Sequence, residues 1–201
     1  MKRSAKLERN TNETKIRARI DLDGKGRYKI KSPIGFFNHM LESFSKHGYF
    51  DLEFYGEGDL HVDQHHLVED SGMVLGRIIH EALGDRKGIK RAGFFVFPMD
   101  DALAVVAVDI GGRPYLQYSV KFKRRFIGDF DTDLLEDFFY GFSITLQANL
   151  AVCMPYGRSD HHKMESIFKA FGKAMHMAVS FNQAIKDIPS TKGIISNDWN
   201  N

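Results

Sequence analysis

The sequence predicts an α+β fold made of two similar halves, with helices packed against sheets. Three observations predict it. Apolar residues alternate in some segments and recur at helical spacing in others. The two kinds of segment come in the same order twice: strand, strand, helix, strand, helix. The last helix of each half opens on the same motif, His-His-x-x-Glu, at residues 65–69 and again at 161–165. The copies lie 161 − 65 = 96 positions apart, close to half of the 201 residues, which marks an internal duplication. No Pro/Gly/Ser-rich linker separates the halves. The expectation is one intertwined domain over 1–201, with halves of about 1–92 and 93–201.

The elements follow in order. RNTNET (9–14) precedes the first expected strand, and Glu13 within it reads as a surface charge. Residues 14–31 alternate around Asp23-Gly24 and predict a hairpin. In 35–48, Phe36, Phe37, Met40, Leu41 and Phe44 recur at helical spacing, and Gly48 is the expected stop. Residues 50–58 form a strand with Leu52 and Phe54 on one face. A second helix runs over 65–84 and ends at Gly84. The pattern then restarts. Residues 93–122 supply strands, and 131–150 form a helix whose start Asp131 or Thr132 is expected to cap. A short strand follows at 151–157. The long helix over 160–183 carries Ile167, Phe168, Phe171, Met175 and Ala178 on one face. The tail from 188 reads as a polar loop.

Composition narrows the function classes. With 43% hydrophobic and 27% charged residues the chain is globular and long enough for a sizeable core. A net charge of +2 argues against dedicated nucleic-acid binding, and KFKRR (121–125) reads as a solvated loop or strand face. The single cysteine, Cys153, fits a reducing compartment. The N-terminal charges precede no apolar run, and no segment approaches the roughly 20 apolar residues of a membrane span. The expectation is a soluble, cytoplasmic protein with no nucleic-acid or membrane partner.

The repeated motif carries the chemistry. On a helix, residues i and i+4 share a face while i and i+1 diverge by about 100°. His65 can therefore grip an ion with Glu69, and His161 with Glu165, while His66 and His162 point elsewhere. Packing of the halves about a pseudo-twofold would let each ion take the other histidine from the opposite helix. Two sites are expected: His65, Glu69 and His162; and His161, Glu165 and His66. Aligning the first helices of the halves sets His39 opposite Asp137, so each site gains one of these. Mixed imidazole and carboxylate ligands, without thiolate, suit Mn²⁺, Fe²⁺ or Zn²⁺. Asp70 is expected to orient a ligand imidazole. His61, His80 and His176 read as structural.

Three segments offer anion contacts: Lys90 and Arg91 in GIKRAG, Arg113 in DIGGRPY, and Ser190, Thr191 and Lys192 in PSTKG. With two metals, these suggest a small phosphorylated substrate.

Together, RNTNET, FFNHML, GDLHVDQHHLVEDSG, PMDDALAVVAVDIGGRPY, DHHKMESIFKAFGKA and STKG resemble the imidazoleglycerol-phosphate dehydratases of histidine biosynthesis. The resemblance runs through nearly the whole chain. It implies a layer of helices between two mixed β-sheets, and two Mn²⁺ ions in mixed His/Glu sites. It further implies assembly into 24 subunits built from trimers, with active sites at subunit contacts. It implies removal of water from imidazoleglycerol phosphate to give imidazoleacetol phosphate, through an imidazolate held between two metal ions. Glu13 becomes the acid/base residue, with Glu69 and Glu165 completing the carboxylates of the reaction. His47, Arg91, Arg113, Ser190 and Lys192 become phosphate contacts. Four departures stand out. Asp137 stands where many members have histidine and others glutamate, and Ser43 replaces a glutamine. ANLAV (148–152) replaces a TLHI strand and loses a histidine that is not expected to be a ligand, and IISNDWNN at the end is atypical and has no assigned role. A dinuclear metallohydrolase, marked by a metal–metal distance of ~3.5–4 Å, and a non-catalytic metal-storage shell are the competing readings.

Overall fold

A computed structural model describes residues 3–184 and 187–195; the last six residues of the tail lie outside them. Ten strands and four α-helices follow one another in the described residues. The first half comprises β1 (Ser4–Asn10), β2 (Thr14–Asp21), β3 (Tyr28–Lys31), α1 (Gly35–Gly48), β4 (Asp51–Gly58) and α2 (His65–Leu83). The second comprises β5 (Ala92–Met99), β6 (Ala102–Asp109), β7 (Tyr115–Ser119), the short pair β8 (Phe126–Ile127) and β9 (Phe130–Asp131), α3 (Leu134–Leu146), β10 (Asn149–Tyr156) and α4 (Asp160–Val179). The first sheet is ordered β1-β2-β4-β3 and the second β5-β6-β10-β7. In each, the central strands are antiparallel and the last strand joins in parallel. The topology repeats strand for strand, so the duplication read from the motif is built into both sheets.

The pairing corrects two local expectations. Residues 14–31 are not a hairpin, because β4 lies between β2 and β3 and pairs with both. The hairpin is β1–β2, joined by the turn at 11–13, so Glu13 sits in that turn and not ahead of the first strand. The start of α3 also differs. Its N-cap is Asp133, with no side-chain cap bond. Asp131 belongs to β9 and accepts from Asp133 N, while Thr132 Oγ1 donates to Arg124 O.

The helices form a layer between the sheets. α2 lies on β1 and β2, and α4 on β5 and β6, while α2 packs against α3 and α1 against α4. Each helix pair therefore joins the two halves. A Cβ at Gly72 would lie 2.1 Å from Phe138 O, and one at Gly172 would lie 2.6 Å from Phe44 O. Glycine at these positions lets the paired backbones approach closely. Phe44, Phe138, Phe139, Phe142, Phe168 and Phe171 fill the remaining space and are fully buried.

The outward faces of the sheets differ. Cross-strand rows of the first sheet read Lys6–Arg19–Glu53–Lys29 and Glu8–Arg17–Tyr55–Lys31. Those of the second read Phe94–Ala107–Ala151–Gln117 and Val96–Val105–Cys153–Ser119. Phe94 is 62% exposed and Val96 47%.

Candidate metal and active site

The i,i+4 spacing acts as expected on both helices that carry the motif. On α4, His161 Nε2 lies 3.1 Å from Glu165 Oε2. The neighbouring helix α1 brings His39 Nε2 to 3.8 Å from the same oxygen. Ligand atoms of His39, His161 and Glu165 all fall within 4.8 Å of one another, the only such group of three or more His, Cys, Asp or Glu among the described residues. On α2, His65 Nε2 lies 3.7 Å from Glu69 Oε2. The neighbouring α3 brings Asp137 Oδ2 to 3.6 Å from His65 Nδ1. The alignment of His39 with Asp137 thus corresponds to equivalent places in two helix pairs.

His66 and His162 point away from these clusters, and in the same manner. His66 Nδ1 donates to both oxygens of Asp59, each at 3.1 Å, and its Nε2 lies 3.8 Å from Glu13 Oε1. His162 Nδ1 donates to Asp101 at 2.6 Å, and its Nε2 lies 3.7 Å from Asp100. A carboxylate thus fixes one nitrogen of each ring and leaves Nε2 turned outward. The Asp59 bond raises the pKa of His66. Asp101 is held well below the usual carboxylate range by the backbone N–H of Ser159 and by His162. Completion of each cluster by the other half's histidine does not occur within one chain. The pairing of α1 with α4 and of α2 with α3 turns those rings to other surfaces.

Asp70 departs from its expected role. It is buried and accepts from Thr14 Oγ1 and from Arg9 Nη1, each at 2.5 Å, and not from an imidazole. It thereby pins the two strands flanking the Glu13 turn to α2. Glu13 itself has a side chain 56% exposed.

The expected anion contacts are distributed. Arg91 donates to both oxygens of Asp109, at 2.6 and 2.9 Å, and through Nη1 to Pro189 O at 2.9 Å. It therefore holds the tail that carries Ser190, Thr191 and Lys192, where Lys192 N donates to Ser190 Oγ. Arg113 follows the Gly111-Gly112 turn before β7. His47, near the end of α1, lies edge-on to Phe97 with its pKa lowered by burial and by Lys169 and Lys173. KFKRR forms a loop whose Lys123 and Arg124 N–H groups donate to Asp160.

Three residues escaped the sequence reading. Asp59 and Asp101 stand in the motifs GDLH and PMDD, but nothing in the spacing says which ring each would meet. Lys169 was detectable: it follows Glu165 by four, and its Nζ lies 2.8 Å from Glu165 Oε1. Burial opposes ionisation of Glu165, yet Lys169, His39 and His161 together outweigh it and the pKa is lowered.

The fold and clusters together define a class: an internally duplicated α+β protein with one imidazole–carboxylate cluster at each of two equivalent helix pairs. Comparison with known proteins identifies the family. The sequence model of imidazoleglycerol-phosphate dehydratase matches residues 32–175. The chain is 51% identical to the imidazoleglycerol-phosphate dehydratase of Koribacter versatilis (strain Ellin345), over 96% of this chain and 100% of that one. It is 48% identical to that of Alkaliphilus metalliredigens (strain QYMF), over 96% and 99%. Among solved structures, the dehydratase from Staphylococcus aureus superposes with a TM-score of 0.80 at 34% identity, over 89% of this chain and 99% of that one. That from Pyrococcus furiosus gives 0.81 at 32%, over 94% and 99%. The chain belongs to the imidazoleglycerol-phosphate dehydratase family.

Proposed function

We propose that this chain removes water from imidazoleglycerol phosphate to form imidazoleacetol phosphate, a carbon–oxygen lyase step of histidine biosynthesis in the cytoplasm. The observation that carries the proposal is the convergent cluster His39–His161–Glu165, with His65, Glu69 and Asp137 gathered at the equivalent helix pair, in a chain of this family. Their donors are imidazole nitrogens and carboxylate oxygens, a set that fits Mn²⁺. His39, His161 and Glu165 would hold one ion; His65, Glu69 and Asp137 the other. Bound Mn²⁺ supplies Lewis-acid charge that stabilises negative charge on the substrate's imidazole ring.

The chain's own groups do the rest. Glu13 takes the proton from the second carbon out from the ring, which keeps its own hydroxyl. The hydroxyl on the carbon next to the ring departs and leaves as water, and the resulting enol tautomerises to the ketone. Arg91, Arg113, His47 and the Ser190–Lys192 loop hold the phosphate, so the reacting carbons are fixed at both ends. Asp59 and Asp101 keep His66 and His162 in one orientation, with Nε2 outward. That orientation supports completion of each cluster by a histidine of another subunit. The apolar outer face of the second sheet supports such self-association, because exposed apolar rows of this kind mark interfaces. An assembly of 24 subunits built from trimers is part of the proposal.

The test is direct. The purified chain, loaded with Mn²⁺, is given imidazoleglycerol phosphate, and product is followed by its enol absorbance in alkali beside a chelated control. Metal-dependent product is expected. Absence of product with metal still bound would overturn the dehydratase reading, and release of inorganic phosphate would replace it with the hydrolase.

A further inference from the structure

We infer that the two metal sites of this chain are unequal: the α2–α3 site, through Asp137, selects hard, oxygen-seeking divalent ions, and the α1–α4 site holds borderline ions more tightly. The inference rests on the two-metal reading above and extends it to ion selectivity.

The duplication makes the comparison internal. α1 corresponds to α3 and α2 to α4, so the two clusters should match ligand for ligand. They do not. The α1–α4 cluster offers two imidazoles and one carboxylate, from His39, His161 and Glu165. The α2–α3 cluster offers one imidazole and two carboxylates, from His65, Glu69 and Asp137, with Glu69 beside Nε2 and Asp137 beside Nδ1 of the ring. A second difference has the same sign. Four residues after Glu165 stands Lys169, whose ammonium lies 2.8 Å from the carboxylate. Four residues after Glu69 stands Met73, which packs toward Gly141 of α3 and carries no charge. Counted over the ligands alone, the α1–α4 cluster carries one negative charge, which Lys169 contacts directly while Glu42 stands 3.9 Å from His39 Nδ1, and the α2–α3 cluster carries two.

Donor type and charge both set ion preference. Imidazole nitrogen favours Zn²⁺ and Ni²⁺, while carboxylate oxygen favours Mn²⁺ and Mg²⁺. Two anionic oxygens also attract a cation that keeps part of its water, and the α2–α3 cluster has room for water. Its carboxylates Glu69 and Asp137 have side chains 37% and 40% exposed, whereas Glu165 is 12% exposed; the imidazoles are alike, His65 at 41% against 46% and 45% for His39 and His161. A histidine supplied to each site by another subunit adds one nitrogen to both and leaves the difference intact.

The experiment titrates Zn²⁺ into the Mn²⁺-loaded protein and reads released Mn²⁺ by its electron paramagnetic resonance signal. The wild-type protein should release Mn²⁺ in two equal phases, with midpoints at least about tenfold apart in Zn²⁺. Asp137→His should move the late phase toward the early one. His39→Asp should move the early phase toward the late one, and it decides the matter if the first variant does not fold. A single phase in the wild-type protein, or a separation unchanged by a folded variant, overturns the inference. If that same protein still forms imidazoleacetol phosphate, the two-metal reading survives and only selectivity falls. If no Mn²⁺ binds, both fall.

Discussion

Thr14 Oγ1 donates to Asp70 Oδ2 at 2.5 Å, which ties the first residue of β2 to the second turn of α2. Arg9 donates to the same oxygen from β1. The turn between these strands carries Glu13, and α2 carries His66, so one buried carboxylate sets the distance between them. Asp70→Ala leaves the Thr14 hydroxyl buried without this partner, and should cost about 2–3 kcal/mol in denaturant unfolding. Dehydratase turnover should fall as well, because the Glu13 turn loses its anchor. Unchanged turnover in a folded Asp70→Ala protein would remove the positioning role.

Glu13→Gln separates chemistry from folding. The side chain is more exposed than buried, so stability should change by less than about 0.5 kcal/mol. Turnover should fall by roughly 10²–10⁴-fold, the usual contribution of a positioned acid or base. Near wild-type turnover would assign proton removal to another group.

Gly72→Ala tests the close approach that builds one cluster. The added methyl would meet Phe138 O at 2.1 Å, so α2 and α3 must separate. The expected cost is about 1–3 kcal/mol, from overpacking. Asp137 would move away from His65 while the α1–α4 cluster keeps its geometry. Equilibrium dialysis with Mn²⁺ should then show one strong site per chain. Two strong sites would show that the helix spacing is dispensable for binding.

Three imidazoles give stability a pH dependence. Burial lowers the pKa of His47, His80 and His176 from the ordinary 6.5, and neighbouring cations add to it. These rings are held neutral in the folded state, while the unfolded chain takes up protons first. Stability is therefore lost as pH falls through 6.5 and levels off below the folded pKa values. His66 works in the opposite sense, its pKa raised by Asp59. For the chelated protein, the urea midpoint should fall between about pH 7.5 and pH 5.5. His176→Phe, which keeps a ring against Tyr49 and Phe50, should flatten that slope. An identical slope in the variant would place the effect elsewhere.

The helices were legible because their apolar stripes are local. The expected span 35–48 is the observed α1, and α2, α3 and α4 differ from expectation only near their ends. Strand partners were not local. β4 enters between β2 and β3 from beyond α1, and alternation in 14–31 carries no mark of that intruder. β1 was missed because it is an edge strand with no buried residue, so its pattern is weak. At the site, helical geometry put His161 with Glu165 and His65 with Glu69, and the alignment of halves matched His39 with Asp137. The partners of His66 and His162 depend on where the loops holding Asp59 and Asp101 come to rest, which no spacing encodes.

The helix pairs cross between the halves, α1 with α4 and α2 with α3. Neither half owns a cluster: His39 comes from the first and His161 with Glu165 from the second, while Asp137 crosses the other way to His65. A half-length ancestor would have carried one helix of each kind and could have built such a cluster only by embracing a second copy of itself. Fusion then freed the two copies to diverge. A twofold dimer of identical chains must place the same residue at both equivalent positions; a fused chain can place histidine at one and aspartate at the other.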